Sequence, residues 1–148
     1  MLVISKNSLQ EMLEKWSVVA AKNKLNIRLI AVGGTALTLL NLKASTKDID
    51  FAVLDEDIKA LNVLFAKLGV KAGGGIGFTT SEGARLDIFR GGQIFTTTLP
   101  DDFLEQSTLI KDFRKIKLYA LSIYDVIITK LARNSVDDED DIRSIFEN

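Results

Sequence analysis

Neither cysteine nor histidine occurs in these 148 residues, and proline occurs once. Without cysteine there is no disulfide framework and no thiolate nucleophile. Without histidine there are no imidazole bases, no histidine-dependent triads and no histidine zinc sites. Charge of one sign is lacking too: 19 Lys and Arg stand against 20 Asp and Glu, a net charge of −1. No whole-molecule field therefore draws the chain to nucleic acid or to an anionic membrane. No apolar run reaches the ~18 residues of a spanning helix, and the N-terminus lacks a signal-peptide pattern. A cytoplasmic location without membrane contact is the expectation. Chemistry must run on carboxylates, amines, hydroxyls and hard metal ions.

What is present suits an ordinary globular protein, with 47% apolar and 26% charged residues. One domain over residues 1–148 is expected, since there are no repeats, linkers or low-complexity segments. Ser8-Leu9-Gln10-Glu11 has the form of a capping box ahead of a helix to about Lys22, whose stripe includes Leu9, Leu13 and a core Trp16. Asn26 to Val32 reads as a buried strand, and Thr35 to about Leu40 as a short helix after the Gly33-Gly34 turn. Asp55 is placed to cap a helix that Gly69 stops. Phe78–Thr80 and Ala84–Phe89 form a hairpin pattern, and Gln93–Leu99 a further strand. A short helix over about Asp101–Gln106 precedes a strand pair, Leu109–Phe113 and Lys115–Ala120. Ser122-Ile123-Tyr124-Asp125 is a second capping box, opening a helix with the stripe Ile123, Val126, Ile127 and Leu131. Ser135 to Asp138 is expected to cap the last helix, which ends near Phe146. Strand pairs among helices predict a mixed β-sheet with helices packed on it, an α+β fold.

Two aspartates, Asp48 and Asp50, flank Ile49 on a predicted strand running to about Leu54. Residues two apart share a strand face, so both carboxylates point one way while Ile49 and Phe51 point to the core. Such a pair can hold the ions of a two-metal site, which sit roughly 3.5–4 Å apart. Asp87, in the alternating run Arg85-Leu86-Asp87-Ile88-Phe89, supplies a third acid if its strand is a neighbour. Three semi-buried carboxylates repel one another by several kcal/mol unless protonated or met by cations. Arg85 shares the face of Asp87 and either orients it, contacts substrate or makes a cross-strand ion pair.

Other clusters read more blandly. Gly73-Gly74-Gly75-Ile76-Gly77 lacks the lysine and hydroxyl residue of a P-loop and is read as a flexible turn. Asp137 to Asp141 places acids in a first helical turn, where they favour the macrodipole without any metal. Lys111, Arg114, Lys115 and Lys117 read as a solvated strand face. Lys130 and Arg133, three apart, share a helix face.

Gly33-Gly34 followed thirteen residues later by Asp48-Ile49-Asp50-Phe51, and then by Leu86-Asp87-Ile88, resembles the nucleotidyltransferase superfamily typified by DNA polymerase beta. Gly33-Gly34-Thr35-Ala36-Leu37 with Ser45-Thr46-Lys47-Asp48 is similar to small bacterial and archaeal members, including abortive-infection type toxins. Lys130-Leu131-Ala132-Arg133 followed by Asp138 and Asp141 is similar to their C-terminal helices. Those families often carry arginine where Lys43 stands, a departure that weakens one phosphate contact. The resemblance implies a fold of that kind and transfer of a nucleoside monophosphate from an NTP to an acceptor hydroxyl. It assigns Asp48, Asp50 and Asp87 as catalytic ligands of two Mg²⁺ ions, with Asp87 accepting the hydroxyl proton. It assigns Gly33, Gly34, Thr35, Lys47 and Lys130 to the nucleotide, while Lys130 also remains readable as a plain surface lysine. An RNA or tRNA end, a protein side chain or a small molecule such as an aminoglycoside is the acceptor it allows. A cognate antitoxin or a second copy of the chain is the implied protein partner. A non-catalytic nucleotide- or partner-binding module that keeps the fold is the alternative.

Overall fold

The computed structural model describes residues 3–133 and 136–147. In chain order come β1 (Ile4–Ser5), α1 (Lys6–Lys22), β2 (Ile27–Ala31), α2 (Gly33–Leu39), β3 (Ser45–Thr46), β4 (Ile49–Val53) and α3 (Asp55–Leu68). Then follow β5 (Lys71–Ala72), β6 (Gly77–Thr79), β7 (Arg85–Arg90), β8 (Gln93–Ile94), β9 (Thr97–Thr98) and α4 (Phe103–Gln106). The chain finishes with β10 (Thr108–Asp112), β11 (Ile116–Ala120), α5 (Ile123–Arg133) and α6 (Val136–Glu147).

Seven strands make one mixed sheet in the order β10-β11-β2-β4-β7-β6-β5, as the α+β expectation requires. Parallel pairing joins β11 to β2 and β4 to β7, and the other neighbours run antiparallel. All five residues of β4 are buried. Phe51 is fully buried there, which stabilises the fold by about 1.5–3 kcal/mol. That burial anchors the segment carrying Asp50. Helix α1 packs on α3 and β11, while α2 lies against β4, α5 and α6. Trp16 is core, meeting Phe65 edge-on at 5.4 Å.

Several local expectations change. The first helix starts at Lys6, and its cap is Ser5, whose hydroxyl accepts from the Ser8 amide at 3.2 Å. The Ser8–Glu11 capping box is therefore not used, because an earlier serine already satisfies the orphan donor. Gly33 and Gly34 are the first helical residues of α2 rather than a turn ahead of it. Asp55 lies inside α3, whose cap position is held by Leu54; Gly69 ends it in a left-handed conformation, φ 73°. The expected strand Gln93–Leu99 is a hairpin, β8 with β9, because Phe95 adopts φ 53° and breaks the extended run. Ser122 does accept from the Asp125 amide, at 3.1 Å. The buried positions of α5, however, are Asp125, Val126, Thr129 and Lys130, while Ile123 and Leu131 are exposed. The Ser135 cap lies outside the described residues.

Candidate active site

Parallel pairing of β4 with β7 sets Asp50 directly beside Asp87. Asp48 sits one residue before β4 and is exposed. All three line one open cleft of about 760 Å³, which also touches Gly73 to Gly77, Arg85, Phe95 and Arg133. The three predicted acids thus meet in a single space. The glycine run, read as a plain turn, forms a wall of the same cleft. Sequence reasoning passed it over because it lacks a phosphate-loop lysine; only its pairing beside β7 brings it there.

Thr35 explains why the acids are held in place. Its buried hydroxyl donates to the Asp48 carbonyl at 3.0 Å and accepts from the Asp50 amide at 3.0 Å. Thr46 donates to the same Asp48 carbonyl at 2.9 Å. The Thr35 hydroxyl is thus spent on the backbone between the two aspartates, a supporting role rather than the nucleotide contact expected of it. Gly33 and Gly34 complete the junction. Gly33 has φ 56°, a conformation that disfavours a side chain, and a Cβ on Gly34 would come 3.1 Å from Thr46 Oγ1 and 3.2 Å from Lys43 Nζ.

The electrostatics are uneven. Asp50 is about nine-tenths buried, and its carboxyl is pushed up from 3.8 to about 7. Desolvation is the main cause, then the charges of Asp87 and Asp48; Arg133 and Lys130 pull the other way. Three buried side-chain oxygens lack a hydrogen-bond partner among the described residues, and two of them are Asp50 Oδ1 and Asp87 Oδ1. Arg85 approaches Asp87 Oδ1 only to 3.7 Å, an ion-pair distance too long for a hydrogen bond.

A second cavity, about 260 Å³, shares Asp48, Asp50 and Arg133 with the cleft and is lined further by Gly34, Lys43, Lys47, Lys130 and the acids of α6. Lys130 is buried, which sets aside the surface-lysine reading. Its ammonium meets Asp141 Oδ2 at 2.6 Å and Asp138 Oδ1 at 3.2 Å. Asp141 also binds Lys43 at 2.6 Å, and Asp138 binds Arg133 at 3.3 Å. Asp138 and Asp141 are therefore ionic partners within the fold, a correction to the reading of that run as macrodipole acids alone. Lys47 remains exposed at the cavity edge.

Whether the acids suit a divalent ion turns on donor type and satisfaction. Among the described residues no three acidic side chains form a ready-made metal cluster. Yet adjacent carboxylates with orphaned buried oxygens and mutual repulsion are hard donors that a cation would satisfy. Their donor type suits a hard divalent cation.

A mixed sheet brings strand-borne aspartates beside a paired-glycine helix start, the arrangement that the resemblance to nucleotidyltransferases implied. The chain belongs to the family described as "Nucleotidyltransferase of unknown function (DUF6036)", which it matches over residues 7–146. Among solved structures it resembles TM1012 of Thermotoga maritima, assigned to the nucleotidyltransferases, with TM-score 0.59 and 13% identity over 97% of this chain and 96% of that one. It also resembles ANT(2″)-Ia in complex with adenylyl-2″-tobramycin, with TM-score 0.60 and 15% identity over 90% of this chain and 85% of the other. An antigenic nucleotidyltransferase-like protein from Paracoccidioides brasiliensis gives TM-score 0.56 and 15% identity, covering 98% and 77%. No curated protein matches. Among the described residues, no helix is long and apolar enough to cross a membrane.

Proposed function

We propose that this chain transfers a nucleoside monophosphate from an NTP to an acceptor hydroxyl. The observation that carries the reading is the pair of partnerless carboxylate oxygens on Asp50 and Asp87, side by side on β4 and β7. Asp48, Asp50 and Asp87 would hold two Mg²⁺ ions, which supply charge stabilisation to the attacking and leaving oxygens of an in-line displacement. The chain's own residues do the rest. Asp87 takes the proton of the acceptor hydroxyl at a carboxylate oxygen while a new O–Pα bond forms. The Pα–O bond to the β-phosphate breaks, and its electron pair leaves with pyrophosphate. Gly34 lines the smaller cavity with backbone unshielded by a Cβ, where a phosphate can approach closely, while Gly33 is buried and lines neither cavity. Lys47 and Arg133 supply positive charge on the phosphate side, and Lys130, bound to Asp138 and Asp141, lines the same cavity. Thr35 keeps Asp48 and Asp50 in register.

The test is pyrophosphate release and label transfer with each α-labelled NTP, Mg²⁺ and a panel of acceptors: RNA ends, proteins and small polyhydroxylated amines. Asp50→Ala should reduce transfer at least about 100-fold while the circular dichroism spectrum is unchanged. Undiminished transfer by that variant dismisses the mechanism. A second reading, a module that binds nucleotide or a partner without turnover, is favoured by the pairing of Lys130 with Asp138 and Asp141, which leaves that lysine no free charge. NTP binding with no pyrophosphate release across the panel selects it.

A further inference from the structure

We infer that Arg133 contacts the triphosphate and that Phe95 is the residue that positions it; this rests on the nucleotidyl-transfer reading. The cleft and the smaller cavity meet at Asp48, Asp50 and Arg133. One lobe carries Gly34, Lys43, Lys47 and Lys130 together with Asp138, Asp140 and Asp141. Asp138 and Asp141 engage Lys43 and Lys130, so Lys47 and Arg133 are the cations it offers a phosphate. The other carries the glycine wall, Arg85 and Phe95, and is the more open space. The bond that breaks during transfer joins the nucleoside monophosphate to pyrophosphate, so it belongs where the lobes join. Among the described residues Arg133 is the one cation that lines both spaces.

The guanidinium is held from two sides. Its Nε meets Asp138 Oδ2 at 3.3 Å, and its Cζ lies 4.4 Å from the centre of the Phe95 ring. Phe95 is itself braced by Phe89, ring centres 4.7 Å apart at 65°. Among the described residues its outer Nη edge makes no hydrogen bond or ion pair, although the charge of the guanidinium also acts on Asp50. That edge is a planar pair of donors matched to a phosphate. The side chain remains 44% exposed. Phe95 reaches its place only through a left-handed backbone, φ 53°, which is strained for a bulky residue. Strain spent to hold a ring under an exposed arginine makes little sense for stability alone. It makes sense if the arginine must be aimed.

The experiment is calorimetric titration of the full chain with ATP and with each other NTP in Mg²⁺, alongside transfer kinetics. Arg133→Ala should weaken binding of the preferred NTP by about tenfold or more, the weight of a charge-assisted phosphate contact. Phe95→Leu should weaken it by about three- to tenfold, raising KM while kcat changes less. Phe95→Tyr keeps the ring and should restore wild-type affinity. Arg133→Lys should not rescue, because lysine cannot hold the fork against both Asp138 and the ring. Thermal unfolding midpoints of the four variants close to wild type confirm that they are folded. Wild-type affinity in Arg133→Ala or Phe95→Leu overturns the inference, as does a Phe95→Tyr protein as weak as Phe95→Leu. If the wild-type chain binds no NTP and releases no pyrophosphate, the transfer reading falls and takes this one with it. If wild type transfers and Arg133→Ala transfers equally, only this inference falls.

Discussion

Two sets of aspartates line two adjoining cavities, and they are treated in opposite ways. Asp138 and Asp141 on α6 are buried and tied to Lys43, Lys130 and Arg133, each cation within 3.3 Å of one of them. Asp50 and Asp87, on neighbouring strands, each leave an oxygen with no partner. A buried charge removed from water is tolerated when opposite charge and hydrogen bonds replace the lost solvent, and costs several kcal/mol when they do not. The first set therefore belongs to the architecture, holding α6 on α5. The second is an unmet demand for positive charge. Residues of one type thus divide into support and site by whether their charge is met.

Breaking the satisfied set should have the largest effect on stability. Lys130→Met leaves Asp138 and Asp141 short of their buried cation and should cost about 3–5 kcal/mol in urea unfolding. A change under about 1 kcal/mol would show that the network contributes little.

Relieving the unsatisfied set should act in the reverse direction. The carboxyl of Asp50 is raised from 3.8 to about 7 in the fold, so the native state holds its proton more tightly than the unfolded chain. Without divalent ions, stability should fall as pH rises from about 4 to about 7 and then level off, by a few kcal/mol in all. Asp50→Asn should flatten that slope and make the metal-free protein more stable than wild type at pH 8. Mg²⁺ should raise the unfolding midpoint of wild type at pH 8 and leave Asp50→Asn unmoved. Parallel pH profiles for the two proteins would sink the assignment of unmet charge to Asp50.

Arg85 sharpens the boundary between the sets. It stands 3.7 Å from Asp87 and is mostly exposed, so Arg85→Ala should shift stability by less than about 1 kcal/mol. A loss of several kcal/mol on thermal unfolding would mean that Asp87 already has its partner.

Much of this was readable beforehand for identifiable reasons. Alternation around Asp50 and Asp87 marks strands because period two is enforced by the pleat, and the two acids do emerge side by side. Trp16 and Gly69 behaved as their spacing and conformational freedom require. Local signals failed where two candidates competed. Ser5 and Ser8 are both good caps, and nothing in their neighbourhood ranks them. On α5 two residues of the apolar stripe, Ile123 and Leu131, point outward while Asp125 and Lys130 take buried positions beside Val126, and for Lys130 the reason is visible only once α6 supplies Asp138 and Asp141. Phe95 carried no sign of a left-handed turn, since that conformation is imposed by the contacts of its ring.

The chain's order of residues settled which chemistry was open: with no imidazole and no thiol, carboxylates, amines, hydroxyls and hard metal ions remained, and the alternating runs put Asp50 and Asp87 on strands. Their spacing along the backbone is a local property, so it can be read locally. Which acids would be left wanting charge was decided in three dimensions, because satisfaction depends on what folds alongside: Asp138 and Asp141 receive cations from two separate segments, Lys43 and helix α5, while Asp50 Oδ1 and Asp87 Oδ1 receive no hydrogen bond among the described residues.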